Sequence, residues 1–265
     1  HRWGASAPIG GTQIIIDSLV QLLKEMGGEI QFNVAVQNVQ IQNKRATGVR
    51  LEDGSIRQAD VVISNADALT THYQLIDSDR TKYESVKEAQ NLRPGMSAFI
   101  YSIGFKGILP ERIPLAGTNI LFPNHYEDYL DDVFKWGTLP ADPLIWFRIP
   151  TKTLPDQAPP DHESIIAIVP VPNTLNGQVN WEQQSYAYRS LILDRIGSLF
   201  PVGLRPRMIS ENFLDPLGIE RWLGSCGGAI MSALPTLRRD GQIRLSNRRR
   251  DIARFYLVGA GAHPG

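Results

Sequence analysis

Near the start of the chain, apolar residues recur at helical spacing between two glycine pairs. The stretch is GGTQIIIDSLVQLLKEMGG (residues 10–28), and it carries Ile15, Leu19, Leu22, Leu23 and Met26. The spacing predicts a helix of about four turns. The period then changes. EIQFN (29–33), VQNVQIQ (36–42) and ATGVRLEDGSIRQADVVISNAD (46–67) are β-rich runs, with Asn43-Lys44 and Asp53-Gly54 supplying turn chemistry between them. The pattern predicts a helix, a strand and a small meander. ADVVISNAD (59–67) closes the meander with a continuous apolar strand, Val61 to Ile63, that breaks into small polar residues, as buried strands of α/β sheets do at their carboxyl ends.

From residue 68 to about 215 the character differs. SAFIYSIGF, NILFP, LIWFRIP and SIIAIVPV are strand-like runs separated by proline-heavy loops such as LPDQAPPDHE, which predicts a second, mainly antiparallel sheet. SYAYRSLILDRIGSLF (185–200) places Leu191, Ile192, Ile196 and Leu199 at helical spacing, a helix expected to cover one face of that sheet. Beyond residue 216, LGSCGGAIMSALPTL, an arginine-rich loop and DIARFYLVGAGAHPG suggest a return to the first unit. The expected domains are therefore 1–67 and 216–265 together, with 68–215 between them.

Composition narrows the function classes. Hydrophobic residues at 42% fit a folded domain, and 27 basic residues balance 27 acidic ones, so overall charge points to no nucleic-acid partner. No apolar run approaches the roughly 20 residues of a membrane-spanning helix. A single cysteine, Cys226, cannot form an internal disulfide, which fits a reducing compartment, and it reads as a small core thiol. The chain opens on His1-Arg2-Trp3-Gly4, with no initiating Met and no signal-like segment, and is expected to be a piece of a longer protein.

Candidate chemistry is sparse. Five histidines show no metal-ligand spacing, and neither HxxxH nor CxxC occurs, so no metal is expected. Ser225 in LGSCGG is not a nucleophile elbow, because Leu223 stands where that motif needs glycine. Asp131 and Asp132 read as a surface helix. Arg238, Arg239, Arg244, Arg248, Arg249 and Arg250 could touch phosphate or an anionic membrane, but read first as a solvated loop. The signal that remains is Gly259-Ala260-Gly261 after the strand Phe255 to Val258. Such a turn lets backbone approach a ligand closely, although Pro264 interrupts the full GxGxxG fingerprint. With no nucleophile, metal or proton-transfer pair in evidence, an enzyme built this way would need a cofactor to carry its chemistry.

Several motifs in order, covering nearly the whole chain, resemble the bacterial carotenoid desaturases of the phytoene desaturase family, flavoproteins related in fold to the amine oxidases. RWGASAPIGGTQIIIDSLVQLLKEMGGEIQFNVAVQNV is similar to that family's segment of Trp-Gly, Gly-Gly, helix, Gly-Gly-Glu and Asn-x-x-Val. DVVISNAD resembles its strand end, SAFIYSIGF and NHYEDYLDDVF its mid-domain strand and helix, and SNRRRDIARFYLVGAGAHPG its C-terminal flavin segment, with Ala262 where threonine is usual. The resemblance implies an α/β (α+β) fold: part of a Rossmann-like FAD domain joined to a mainly antiparallel substrate domain. It implies FAD as cofactor, with the backbone of Val36 on the adenine. Ser64, Asn65, Ala66 and Asp67 would lie by the diphosphate, and Gly259, Ala260, Gly261, Ala262, His263, Pro264 and Gly265 along the ribityl chain and isoalloxazine. Gly10 and Gly11 would stand at the flavin end of a substrate channel. No catalytic residue is identified.

The activity implied is desaturation of a carotenoid precursor such as phytoene, by a cytoplasmic protein associated peripherally with the membrane that holds its lipid-soluble substrate. Carotenoid ketolases, isomerases and retinol-saturase-like reductases share these motifs, and a non-catalytic lipid- or partner-binding module is the alternative from another class. The family's N-terminal GxGxxG turn and the helix after Gly265 are not in this sequence, so the piece alone is expected not to hold FAD and to be inactive.

Overall fold

A computed structural model describes residues 7–76, 93–107, 115–200, 203–234, 245–249 and 251–263. Helix α1 (Gln13–Glu25) lies between the two glycine pairs. Gly10 and Gly11 precede it at φ +88° and +82°, and Gly27 ends it at φ +81°. The amides of Gly27 and Gly28 donate to Lys24 O and Leu23 O at 3.0 and 2.9 Å, which closes the last turn as glycine C-caps do. None of its residues is buried, and Ile14, Ile15, Leu19 and Leu22 are all about half exposed.

Strands β1 (Val36–Gln42), β2 (Arg45–Leu51) and β3 (Ile56–Gln58) form an antiparallel meander. Gln42 pairs with Arg45, so the β1–β2 loop is Asn43-Lys44 alone, both residues at positive φ (50° and 61°) as a primed hairpin turn requires. At the next turn Gly54 takes φ +83° and the Ser55 amide donates to Asp53 Oδ1 at 2.8 Å. EIQFN, expected as a strand, forms no ladder with any described residue. Its side chains alternate too weakly in burial to hold it in a sheet by packing alone.

Strand β4 (Val62–Ser64) runs parallel to β10 (Phe255–Leu257), with Val62 opposite Phe255 and Ser64 opposite Leu257. Their side chains share one apolar cluster with Val39, Ile41, Ala68 and Ile252. After β4 comes helix α2 (Ala68–Thr70), which widens into a π-helical turn, Thr71–Leu75.

The larger sheet is antiparallel in the order β6 (Thr118–Leu121), β7 (Ile145–Arg148), β8 (His162–Val171), β5 (Ser97–Lys106), β9 (Met208–Leu214). Helix α3 (Tyr126–Asp131) lies between β6 and β7, and α4 (Trp181–Gly197) between β8 and β9. One face of the sheet is sealed by α4, whose Trp181, Tyr188, Ile192 and Ile196 meet Phe99, Tyr101, Phe147 and Val169 in the main core. Phe99 stacks on Phe213 at 5.3 Å and meets Tyr188 edge-on at 5.7 Å. Each such buried side chain contributes about 2–3 kcal/mol relative to exposure. Helix α5 (Pro216–Leu223) starts on Asp215, whose Oδ1 accepts from the Gly218 amide at 2.8 Å. Asp131 pairs with Lys135 at 2.8 Å and Asp132 accepts from Thr138 Oγ1 at 3.0 Å, so both carboxylates serve the surface turn they sit on.

Candidate functional site

Because β4 and β10 are parallel neighbours, their carboxyl ends open side by side. Ser64 to Asp67 leave one and Val258 to His263 the other, joined where the Val258 amide donates to Ser64 O at 3.0 Å. Asn65, Ala66, Gly259 and Ala260 are exposed there, and nothing larger than a methyl group projects between Gly259 and Ala262. Two glycines make the approach possible. Gly259 has φ +100°, and a Cβ on it would fall 2.7 Å from Asn65 Oδ1. A Cβ on Gly261 would fall 2.6 Å from both Ala68 Cβ and Ser232 Oγ. The result is a patch of accessible backbone at two strand ends, the surface that an extended, phosphate-bearing ligand can lie along.

Asp67 anchors this patch from below. Its Oδ2 accepts from the Thr70 amide at 3.0 Å and from the Cys226 amide at 3.4 Å, and its carbonyl accepts from the Thr71 amide at 2.7 Å. Ser64 Oγ and Thr71 Oγ1 share a buried hydrogen bond of 2.9 Å. One turn further on, buried His72 takes its Nδ1 to Arg249 Nη1 at 2.8 Å, while its Nε2 is buried without a partner. Burial, and then the adjacent Arg249 guanidinium, hold the imidazole pKa down at about 4, so it is neutral at physiological pH. Arg249 is itself buried and paired with Asp251, through Nε to Oδ1 at 2.9 Å and through Nη2 to Oδ2. The solvated-loop expectation therefore fails at Arg249: the guanidinium ties the arm before β10 to the π-turn after β4. Arg238, Arg239, Arg244 and Arg250 lie outside the described residues.

A second loop, 224–234, is hydrogen-bonded both to the helix after β4 and to the large sheet. Toward the glycine turn, Thr70 Oγ1 donates to Gly224 O at 2.7 Å. Toward the large sheet, Ser97 Oγ donates to Gly228 O at 2.6 Å and the Gly95 amide to Ser232 O at 2.7 Å. Ser232, wedged against Gly261, is buried at φ +59° with its hydroxyl unpartnered. Sequence reasoning missed Ser232, His72 and Asp251, and nothing local to those positions flags them. Burial, and then Asp67 and Glu220, push the half-buried Cys226 thiol pKa up, away from the thiolate a nucleophile needs.

The other expected positions lie apart from the paired turns. Val36 opens β1, about one-third exposed, opposite Leu51. Beside it Asn33, Val34, Ala35, Leu51, Glu52 and Asp53 line an open depression of about 630 Å³. Gly11 stands beside the Gln157 side chain, in the loop between β7 and β8. His263 is exposed and its amide donates to Leu245 O at 2.6 Å. Pro264 and Gly265 lie outside the described residues.

A parallel strand pair with glycine-lined ends stands beside an antiparallel sheet capped by a helix, an arrangement compatible with a dinucleotide ligand at the strand ends. Comparison with known proteins supplies the class. Residues 2–265 match the model of the flavin containing amine oxidoreductase family, and the chain belongs to it. FAD is the cofactor that this membership assigns. Among curated relatives, a phytoene desaturase (lycopene-forming) of Pseudescherichia vulneris is 32% identical over 265 residues, 100% of this chain and 53% of its own length. A 1-hydroxycarotenoid 3,4-desaturase of Flavobacterium sp. is 29% identical over 262 residues, 99% of this chain and 52% of its own length. The chain thus spans about half the length of the curated relatives it matches. Among solved structures, an oxidoreductase from Methanosarcina mazei superposes with a TM-score of 0.62 at 21% identity, covering 96% of this chain and 50% of that one, which shows the shared fold.

Proposed function

We propose that this chain is part of an FAD-dependent carotenoid desaturase acting on phytoene or a related polyene at a membrane surface. The observation that carries the proposal is the apposition of two strand ends, Ser64–Asp67 and Gly259–His263, packed so closely that neither Gly259 nor Gly261 has room for a side chain. In this reading those backbones hold the diphosphate and ribityl chain, Val36 meets the adenine, and Gly10 and Gly11 border the channel. Residues 1–67 and 216–265 belong to the cofactor unit and 68–215 to the substrate unit. The names of the similar curated relatives supply the substrate class. Among the described residues no helix is long and apolar enough to cross a membrane, so contact with the bilayer would be peripheral.

When bound, FAD would accept the hydride lost from one carbon of the hydrocarbon chain, while the neighbouring carbon would lose a proton to water or a base. The protein's part is to orient that chain and exclude water, since a hydrocarbon offers no group for an acid or base to grip. His72 is buried away from solvent and neutral, and Cys226 is held as a thiol, so neither supplies a charged group near the turns. The loop 224–234 is hydrogen-bonded both to Thr70, after β4, and to Ser97, at the start of β5.

The test is to incubate the full-length protein with FAD and phytoene in liposomes and record the absorption of the extracted pigment. Structured visible bands, from lengthened conjugation, are expected. A colourless extract from protein that retains yellow flavin would reject desaturation of phytoene.

A further inference from the structure

Buried polar side chains in a folded protein are normally paired, and each exception calls for an explanation. Among the described residues, three orphaned polar atoms belong to the segments that meet at the strand-end turns: His72 Nε2, Ser225 Oγ and Ser232 Oγ. Ser232 differs from the other two in its backbone. It is 5% exposed and takes φ +59°, in the left-handed region that favours glycine, whereas Ser225 is extended at φ −82° and ψ 140°.

The surrounding bonds hold that strain in place. Residues 230–234 are laddered to the segment entering β5: the Ile230 amide donates to Met96 O at 3.2 Å, the Gly95 amide to Ser232 O at 2.7 Å, and the Leu234 amide to Arg93 O at 2.9 Å. The ladder fixes the Ser232 backbone on both sides, and its side chain meets Gly261, where Oγ stands 2.6 Å from the position a Cβ would take. Glycine at 232 would relieve the backbone and remove the unpaired hydroxyl together, so for the protein alone serine is the poorer choice on both counts. A strained residue with an unsatisfied hydroxyl, over-determined by its surroundings, is the pattern of a group kept for a ligand.

The ligand's chemistry follows from the place. Gly261 has no side chain to cover the hydroxyl, and Gly259 and Ala260 beside it are exposed. A flat ring pressed on this bare backbone comes within reach of the serine. Resting on the reading that these turns hold FAD, we infer that Ser232 is a further cofactor-contacting residue, its hydroxyl donating a hydrogen bond to an acceptor atom of the isoalloxazine ring. No covalent bond is made or broken at this contact. It acts on the flavin's electron affinity, because a ring that has taken up an electron pair carries more negative charge and accepts a stronger hydrogen bond. Ser232 thus favours the reduced flavin, the form that removal of a hydride from substrate produces.

The experiment uses the full-length FAD-loaded protein. The two-electron midpoint potential is read from the flavin absorption band against a reference dye, and the FAD dissociation constant from flavin fluorescence recovered on dilution. Ser232→Ala and Ser232→Gly are each expected to weaken FAD binding about fivefold, the scale of one neutral hydrogen bond. Each should weaken binding of reduced flavin about tenfold more than that of oxidised flavin, which lowers the midpoint potential by about 30 mV. Ser225→Ala, which removes the loop's other unpaired hydroxyl, should leave the potential at its wild-type value. An unchanged potential in both Ser232 variants overturns the inference, as does an equal fall in Ser225→Ala. Gly259→Ala tests the flavin site independently. If it weakens FAD binding while both Ser232 variants behave as wild type, the turns still hold flavin and only the role of Ser232 is lost. If Gly259→Ala and both Ser232 variants all bind FAD as wild type does, the site and the inference fall together. The expected Ser232 shifts in a protein that turns over no carotenoid would reject the desaturase reading and retain the contact.

Discussion

Replacing Gly261 by alanine probes whether the two strand-end turns are wedged together as described. Its new Cβ would lie 2.6 Å from Ala68 Cβ and 2.8 Å from Ser232 Cβ. Carbon atoms settle at about 3.5–4.0 Å, so about 1 Å of movement is needed on two sides at once. Neither neighbour is the far end of a flexible side chain: Ala68 begins α2 and Ser232 is held through its carbonyl by Gly95. Overpacking of this kind costs about 1–3 kcal/mol, and the stiffer unfolded chain returns up to about 1 kcal/mol. A net loss of about 1–2 kcal/mol is expected, read as a lower urea midpoint at constant slope, together with faster loss of FAD on desalting the full-length protein. Adding Ser232→Gly to Gly261→Ala removes two of the three close contacts and should recover about half of the loss. Wild-type stability and flavin retention in Gly261→Ala would refute the wedge, as would a double variant no better than the single one.

Other outcomes follow from the buried polar groups. The His72 pKa is about 4 in the fold against an ordinary 6.5, so its contribution to stability is complete above pH 6.5 and is lost as pH falls toward 4; the full effect is about 3 kcal/mol, and His72→Gln should flatten acid unfolding across that window. Asp251→Ala removes the carboxylate paired with the buried Arg249 guanidinium and should cost about 3 kcal/mol, whereas Arg249→Met with Asp251→Leu should cost less, a difference that thermal denaturation resolves. Ser97→Ala leaves Gly228 O without its buried donor and should cost about 1–2 kcal/mol, seen as a lower Tm.

Local signals explain which parts of this fold were legible from sequence. The glycine pairs around α1, the Asn43-Lys44 turn and the runs that became β5 to β8 each carry their instruction within a few residues. Glycine frees φ, and alternation fixes a strand's faces. EIQFN misled because an extended apolar run becomes a strand only when a neighbour completes its ladder. The glycine turn was legible as a close-approach element, yet its partners were not. Ser232 lies 29 residues before Gly261 and touches it by packing alone, and Arg249 reads as one of a solvated arginine run until Asp251 and His72 close around it. Side chains that work through tertiary contact leave no period and no motif to find.

The parallel pairing of β4 with β10 also bears on how the protein comes to be assembled. Val62 and Phe255 are some 190 residues apart in sequence, and closing a loop of that length costs about 5 kcal/mol in chain entropy before the pair returns any contact energy. The β1–β2 hairpin and the β7–β8 and β5–β8 pairs close far shorter loops, so they should form first. Ribosomes also release residues 255–257 after both sheets are available. The pairing of β10 with β4 is therefore completed after both antiparallel sheets, and a nascent chain stalled before residue 255 would carry those sheets with β4 still without its parallel partner.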